Sequence, residues 1–182
     1  HIDPLNEIKV RSFELDKCIE KGKELIRWDE KKKEYKKQVS NKKRGLGLAC
    51  FSYFSGTHPV SLELAGARIV MNQDGSVQLQ VGATEIGQGS DTVFCQMVAE
   101  VLGINMEDVH IITTQDTDIT PFDTGAYASR QSFVTGAAVK KAAQEVKYKV
   151  LSIASKKYGL NIEELDIEDG NIIEKKIGDV LC

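Results

Sequence analysis

Hydrophobic residues recur along this chain with two periods, and the changes of period mark out its elements. Over 12–28, Phe13, Leu15, Ile19, Leu25 and Ile26 form an apolar face, with Asp16 early and Lys23 late to match a helix dipole. A short helix is also predicted at Asp3-Pro4, with Asp as N-cap and Pro as first helical residue. Period-two runs over 45–54 and 60–71 predict strands. The second run carries Leu62, Leu64, Ala67, Ile69 and Met71, with a slip at Gly66 that reads as a bulge. Asn72-Gln73-Asp74-Gly75 is a hairpin turn, after which Val77, Leu79 and Val81 return on one strand face. The helical period resumes over 91–102 (Val93, Met97, Val98, Val101, Leu102) and stops at Gly103.

A short turn at 106–108, a β-branched strand over 109–114 and a polar loop over 115–124 follow. One long Ala- and Lys-rich helix is then predicted over 130–158, ended by Gly159. Asn161 caps a turn at 162–165, 166–173 reads as a closing hairpin, and 171–182 is strand-like. The pattern predicts an α+β fold: a mixed sheet with a strand hairpin and long helices packed on it. It divides into a helical N-terminal segment and basic linker (1–44) and an α+β domain (45–182). The lysines of 29–43, among them Lys31-Lys32-Lys33 and Lys36-Lys37, read either as a docking patch or as a solvated helix end and linker.

Composition narrows the class. The chain has 182 residues, 41% hydrophobic and 28% charged, enough for one domain with a real core. A net charge of −3 argues against nucleic acid as the main partner. No apolar run approaches the ~20 residues of a membrane helix, and the start has no apolar signal region. With no initiator Met, and an end inside a strand-like run, the chain reads as a piece truncated at both ends. Cys18, Cys50, Cys95 and Cys182 lie far apart, which excludes a local zinc or iron–sulfur motif and favours reduced thiols in the cytoplasm.

Two glycine-bearing loops carry the candidate chemistry. Gly82-Ala83-Thr84-Glu85-Ile86-Gly87-Gln88-Gly89-Ser90 leads into one helix, and Thr124-Gly125-Ala126-Tyr127-Ala128-Ser129-Arg130-Gln131-Ser132 into another. Each places backbone N–H groups and a helix dipole where an anion can bind, which suggests one large anionic ligand held from two sides. Gln88 offers both a donor and an acceptor. Glu85 is either a general acid or base or a structural acceptor for loop N–H groups. Arg130 opposes the helix dipole unless a bound anion relieves it; alternatively it points to solvent or pairs with Asp118 or Asp123.

The run Gly-Ala-Thr-Glu-Ile-Gly-Gln-Gly-Ser-Asp-Thr (82–92), with Ala-Ser-Arg-Gln-Ser (128–132) ahead of a long helix, resembles the xanthine dehydrogenase/aldehyde oxidase family. The resemblance is to the molybdenum-cofactor-binding subunit of these molybdenum hydroxylases, and it covers nearly the whole chain. It implies a molybdenum-binding domain fragment of the aldehyde oxidase type. It also implies molybdopterin with molybdenum, in the mono- or the dinucleotide form, contacted by Ile86, Gly87, Gln88, Gly89, Ala128, Ser129, Arg130, Gln131 and Ser132. The cofactor's dithiolene holds the metal, so no protein metal ligand is implied. The family's general-base Glu and upstream substrate loops have no counterpart here, so no catalytic residue is implied within the chain.

The implied function is that of an oxidoreductase fragment, inactive alone. The enzyme it belongs to hydroxylates a heterocycle or aldehyde with water as oxygen source. Implied partners are the remainder of the molybdenum subunit, iron–sulfur and flavin subunits or domains, and a small-molecule substrate, with no nucleic acid and no membrane. The rival readings are a stand-alone nucleotide- or phosphate-binding module without catalysis, and a structural fragment without ligand affinity.

Overall fold

The computed structural model describes residues 2, 9, 12–39, 41–51, 53, 55–57, 62–112 and 116–182. The chain forms two compact units, His1–Ser52 and Tyr53–Cys182.

In the first unit the helix predicted over 12–28 is α1 (Leu15–Leu25), and a second helix, α2 (Trp28–Lys36), follows it into the lysine run. Arg27 takes a left-handed conformation (φ 54°, ψ 52°), which breaks the helical hydrogen-bond ladder. Its guanidinium then bonds Glu30 in the next turn. The lysine run 29–43 is thus helical as far as Lys36. Neither helix buries a residue. Residues 45–51 form no strand, which corrects the expectation for 45–54 over its described part. The helix expected at Asp3-Pro4 lies outside the described residues; Ile2 and Lys9 form an isolated antiparallel bridge.

The second unit is built on a mixed sheet. β1 (Ala67–Met71) pairs antiparallel with β2 (Val77–Val81) across the predicted hairpin. Asp74 closes that turn by accepting from the Ser76 N–H and hydroxyl. From β2 the chain passes through α3 (Ser90–Leu102) and returns as β3 (Val109–Ile112), parallel to β2. β2 is thus the central strand. Its Val77, Leu79 and Val81 are fully buried. They pack in one cluster with Phe94, Val98 and Leu102, spaced four apart on α3, and with Val139 and Ala143 of α4 (Gly136–Tyr158). Each large apolar side chain sequestered this way is worth about 1.5–3 kcal/mol.

The strand predicted over 60–71 is shorter than expected, for a reason visible in its hydrogen bonds. The Leu64 carbonyl accepts from the Arg130 guanidinium, Ala65 bridges Asp123, and the Gly66 N–H donates to Phe122 O. The chain therefore changes partner at Gly66, from loop 121–123 to β2, and there is no bulge. Gly82, at the other end of β2, packs on the same loop so closely that a Cβ there would stand 2.1 Å from Pro121 O.

α4 is a strut shared by two cores. Its C-terminal half, through Leu151 and Ala154, packs on Leu165 and Ile167. These belong to a second, antiparallel sheet of β4 (Leu165–Glu168), β5 (Asn171–Glu174) and β6 (Asp179–Val180). Asn161 caps the 3-10 turn before β4, as its position predicts: its N–H and side-chain amide donate to the Glu164 carboxylate, and the Glu164 N–H donates to Asn161 O. The strand-like run 171–182 is two short strands separated by a turn. The helix predicted from Arg130 begins as a π-turn (Gln131–Thr135) before regular α geometry at Gly136.

Candidate functional site

The first loop, 82–90, is organised by Glu85. Its carboxylate accepts from the N–H groups of Gly87 (2.7 Å), Gly89 (3.0 Å) and Asp91 (3.2 Å) and from the Ser90 hydroxyl (3.2 Å). Bonds from the Gly89 and Asp91 amides, outweighing the cost of desolvation, hold this carboxyl down at about 2. Glu85 is thus the structural acceptor, ionised throughout the neutral range and unsuited to act as a base there. It also fills the anion cradle that the glycines suggested for an external ligand. Its charge sits at the start of α3, where a helix dipole favours it.

Gln88 completes the loop. Its Oε1 accepts from Ile86 N–H (2.7 Å), and its Nε2 donates to Thr84 O (2.9 Å) and to Ser90 Oγ (3.0 Å). Gly87 and Gly89 have φ of 99° and 81°, which allow the chain to curl around Glu85. A Cβ at Gly87 would meet nothing within 4 Å, so conformation and not clearance selects glycine there. Burial, then the charge of Glu85, pushes the Asp91 carboxyl up.

The second loop is bolted in place by Arg130. This side chain is fully buried. Its Nε bonds Glu63 (3.0 Å) and Nη1 bonds Asp123 (2.6 Å) and Gly125 O (2.9 Å), while Nη2 bonds Leu64 O (2.7 Å). Asp123 also accepts from the Thr135 hydroxyl at 2.6 Å, at the end of the π-turn. The dipole conflict at Arg130 is therefore relieved by two carboxylates of the chain itself. The Arg130–Asp123 pairing was one of the alternatives legible in the sequence; Glu63, 67 positions away, carried no sequence signal. Glu63 in turn accepts from the Thr57 N–H and hydroxyl, and the backbone bond, followed by the one from Arg130, lowers its pKa.

Between bolt and loop, Ala128 and Ser129 both take left-handed conformations at φ 47° and 50°. Strain of this kind costs about 1–3 kcal/mol per residue and persists only where surrounding contacts over-determine it. Here the Ala128 N–H donates to the Tyr53 hydroxyl (2.7 Å), and Ala128 O accepts from Gly56 N–H (2.6 Å). Tyr53 was not anticipated from the sequence, where it sat within a predicted strand.

The two loops meet. A cleft of about 440 Å³ is lined by Ile86 and Gln88 from the first, by Ala126, Tyr127, Ser129, Gln131 and Ser132 from the second, and by Tyr53. Of the nine residues implied by the resemblance, Ile86, Gln88, Ser129, Gln131 and Ser132 line it. Gly87, Gly89, Ala128 and Arg130 are not among its lining residues. Gln131 is 6% exposed, and neither of its amide atoms has a hydrogen-bond partner among the described residues. An unpartnered buried polar group costs about 1–3 kcal/mol. A ligand bearing a polar heterocycle and a phosphate suits this lining of hydroxyls and amides.

The model of the molybdopterin cofactor-binding domain family matches residues 21–180. The chain is 48% identical over 171 residues to the xanthine dehydrogenase molybdenum-binding subunit of Escherichia coli O157:H7, covering 94% of this chain and 23% of that protein. It is 31% identical over 156 residues to the carbon monoxide dehydrogenase large chain of Afipia carboxidovorans, covering 81% of this chain and 19% of that one. The crystal structure of quinoline 2-oxidoreductase from Pseudomonas putida 86 superposes with a TM-score of 0.57 at 28% identity, over 63% of this chain and 14% of the other. The chain belongs to the molybdopterin cofactor-binding domain family, as a molybdenum-cofactor-binding domain of the xanthine dehydrogenase type. It spans less than a quarter of the length of these relatives.

Proposed function

We infer that the cleft between the two loops is where this chain holds molybdopterin. The assigned contacts are Ile86, Gly87, Gln88, Gly89, Ala128, Ser129, Gln131 and Ser132, with Arg130 serving through its backbone and its buried bolt. The observation that carries this reading is the convergence of both loops on one cleft with an orphaned buried amide in its wall. When bound, the cofactor supplies the redox chemistry of a hydroxylation whose oxygen comes from water. The chain's own residues bind and orient it. Glu85 keeps the first loop curled, Gln88 locks that curl, and Arg130 holds the second loop at the required angle. No residue of the chain is assigned a proton-transfer role.

The protein that carries this domain is proposed to be a cytoplasmic molybdenum hydroxylase of the xanthine dehydrogenase/aldehyde oxidase kind, of which this chain is a fragment, acting on a heterocycle or aldehyde. Its electrons pass to iron–sulfur and flavin partners. A dinucleotide form of the cofactor is compatible with the open rim, where Ile86 is 68% and Tyr53 65% exposed.

Amide NMR of the chain titrated with a soluble pterin and with inorganic phosphate tests the site. Shifts are expected in both loops, over 84–90 and 126–132. Shifts confined to one loop, or centred on the second sheet, would remove the shared site.

A further inference from the structure

The outward face of α4 carries charge of one sign that the chain itself does not neutralise. Lys140, Lys141, Lys149, Lys156 and Lys157 are exposed there, against one exposed acid, Glu145. On α1, by contrast, Lys17, Lys21 and Lys23 each pair with a glutamate one turn away. Within α4, Lys147 pairs with Asp166 at 2.5 Å, and Lys157 lies over the Tyr158 ring at 5.0 Å. Among the described residues, Lys140, Lys141, Lys149 and Lys156 have no ion pair with the chain. Between them stand Tyr148 and Ile153, 65% and 69% exposed.

A stripe of lysines is soluble by itself and gains nothing from two large apolar side chains set among them. The core face of α4 is already filled by Val139, Ala143, Leu151 and Ala154, so Tyr148 and Ile153 anchor nothing within the chain. An aromatic and an aliphatic side chain ringed by like charges have the layout of a docking centre with a polar rim. We propose that this face of α4 docks an acidic surface of a partner subunit. Carboxylates of the partner meet Lys141, Lys149 and Lys156, along about 22 Å of helix, and an apolar patch covers Tyr148 and Ile153. The inference rests on the reading above that the parent enzyme assembles with other subunits. A second α4 would set lysine against lysine, which disfavours a symmetric pair of these chains. Nucleic-acid phosphates favour the planar fork of arginine, and α4 contains none. A membrane surface needs a continuous apolar helix face, and the one on α4 is spent on the two cores.

The test uses the parent enzyme as purified. A water-soluble carbodiimide joins a lysine amine to a touching carboxylate with loss of water, and mass spectrometry of the digest locates the bonds. Lys141, Lys149 or Lys156 is expected to be bonded to Asp or Glu of another subunit. The triple variant Lys141→Glu, Lys149→Glu, Lys156→Glu should weaken subunit association at least tenfold, read by mass photometry on dilution. Its melting temperature should stay that of wild type, because these side chains are exposed and unpaired. The same charge change on α2, Lys31→Glu, Lys33→Glu, Lys36→Glu, should leave association unchanged, which separates this face from net charge. Unchanged association in the α4 variant, or bonds from these lysines only to carboxylates of the molybdenum subunit or a second copy of it, would overturn the inference alone. So would binding of the parent enzyme to phosphatidylserine vesicles or duplex DNA that the α4 variant abolishes. A parent enzyme that purifies as the molybdenum subunit by itself would overturn the multi-subunit reading, and this inference with it.

Discussion

The side chains of Arg130 and Asp123 are both completely buried and joined by a hydrogen bond of 2.6 Å, so a full ion pair lies beneath the second loop. With Glu63 as a second carboxylate at 3.0 Å, the guanidinium ties together Glu63 and Leu64, loop 121–125 and the turn at 130–135. Burial works against the charge of Arg130, yet its bonds to Glu63 and Asp123 leave its pKa raised.

Breaking this pair from one side strands a buried charge. Arg130→Ala is expected to destabilise the chain by about 3–5 kcal/mol in urea unfolding, with or without ligand. Arg130→Lys should recover only part of that, because one ammonium cannot span four acceptors in a planar fork. An unfolding midpoint for Arg130→Ala within error of wild type would show that the bolt is not holding the loop.

Glu85 should give the first loop a characteristic pH response. Its carboxyl is held at about 2, below the ordinary 4.5. A depressed acid stabilises the fold fully above its unfolded pKa and loses that contribution as pH falls through the folded value. Glu85→Gln should therefore melt below wild type at pH 7, with the gap closing between pH 4.5 and about 2. Melting curves at pH 7 and pH 3 check this; a gap that widens in acid would contradict the assignment.

Two glycines of the same loop should fail for different reasons. Gly82→Ala drives a Cβ to 2.1 Å from Pro121 O, so backbone must move. Overpacking of this kind costs about 1–3 kcal/mol or more. Gly87→Ala has open space and pays only for its positive φ, about 1–2 kcal/mol. Chemical denaturation of both variants should rank Gly82→Ala as the more damaging, and the reverse order would be inconsistent with the packing of loop 121–123.

Gln88→Ala removes three hydrogen bonds internal to the first loop while leaving the cores untouched. Far-UV circular dichroism is expected to be unchanged, stability to fall by about 1 kcal/mol per lost bond at most, and pterin-induced amide shifts to weaken across 84–90. Undiminished shifts would mean that the loop's conformation does not depend on this side chain.

Period and punctuation made much of the fold legible beforehand. The hairpin at 67–81, the helix ending at Gly103 and the capped turn at Asn161 each follow from contacts within a few residues, which sequence spacing encodes directly. The family could likewise be read from two contiguous runs, 82–92 and 128–132, because a local run is visible without the fold. The long-range contacts were decided elsewhere. The break at Arg27, the change of partner at Gly66 and the π-turn at Gln131 depend on backbone strain or on bonds to distant segments, and apolar period carries no trace of them. Glu85 shows the division within one residue. Its place beside three glycines said that an anion belonged in the loop; only the folded geometry decided that the anion is its own carboxylate. In the same way, the sequence placed Arg130 and Gln131 side by side as equivalent candidates. Tertiary structure separated them, because two carboxylates brought from other segments neutralise the first, while nothing among the described residues reaches the amide of the second.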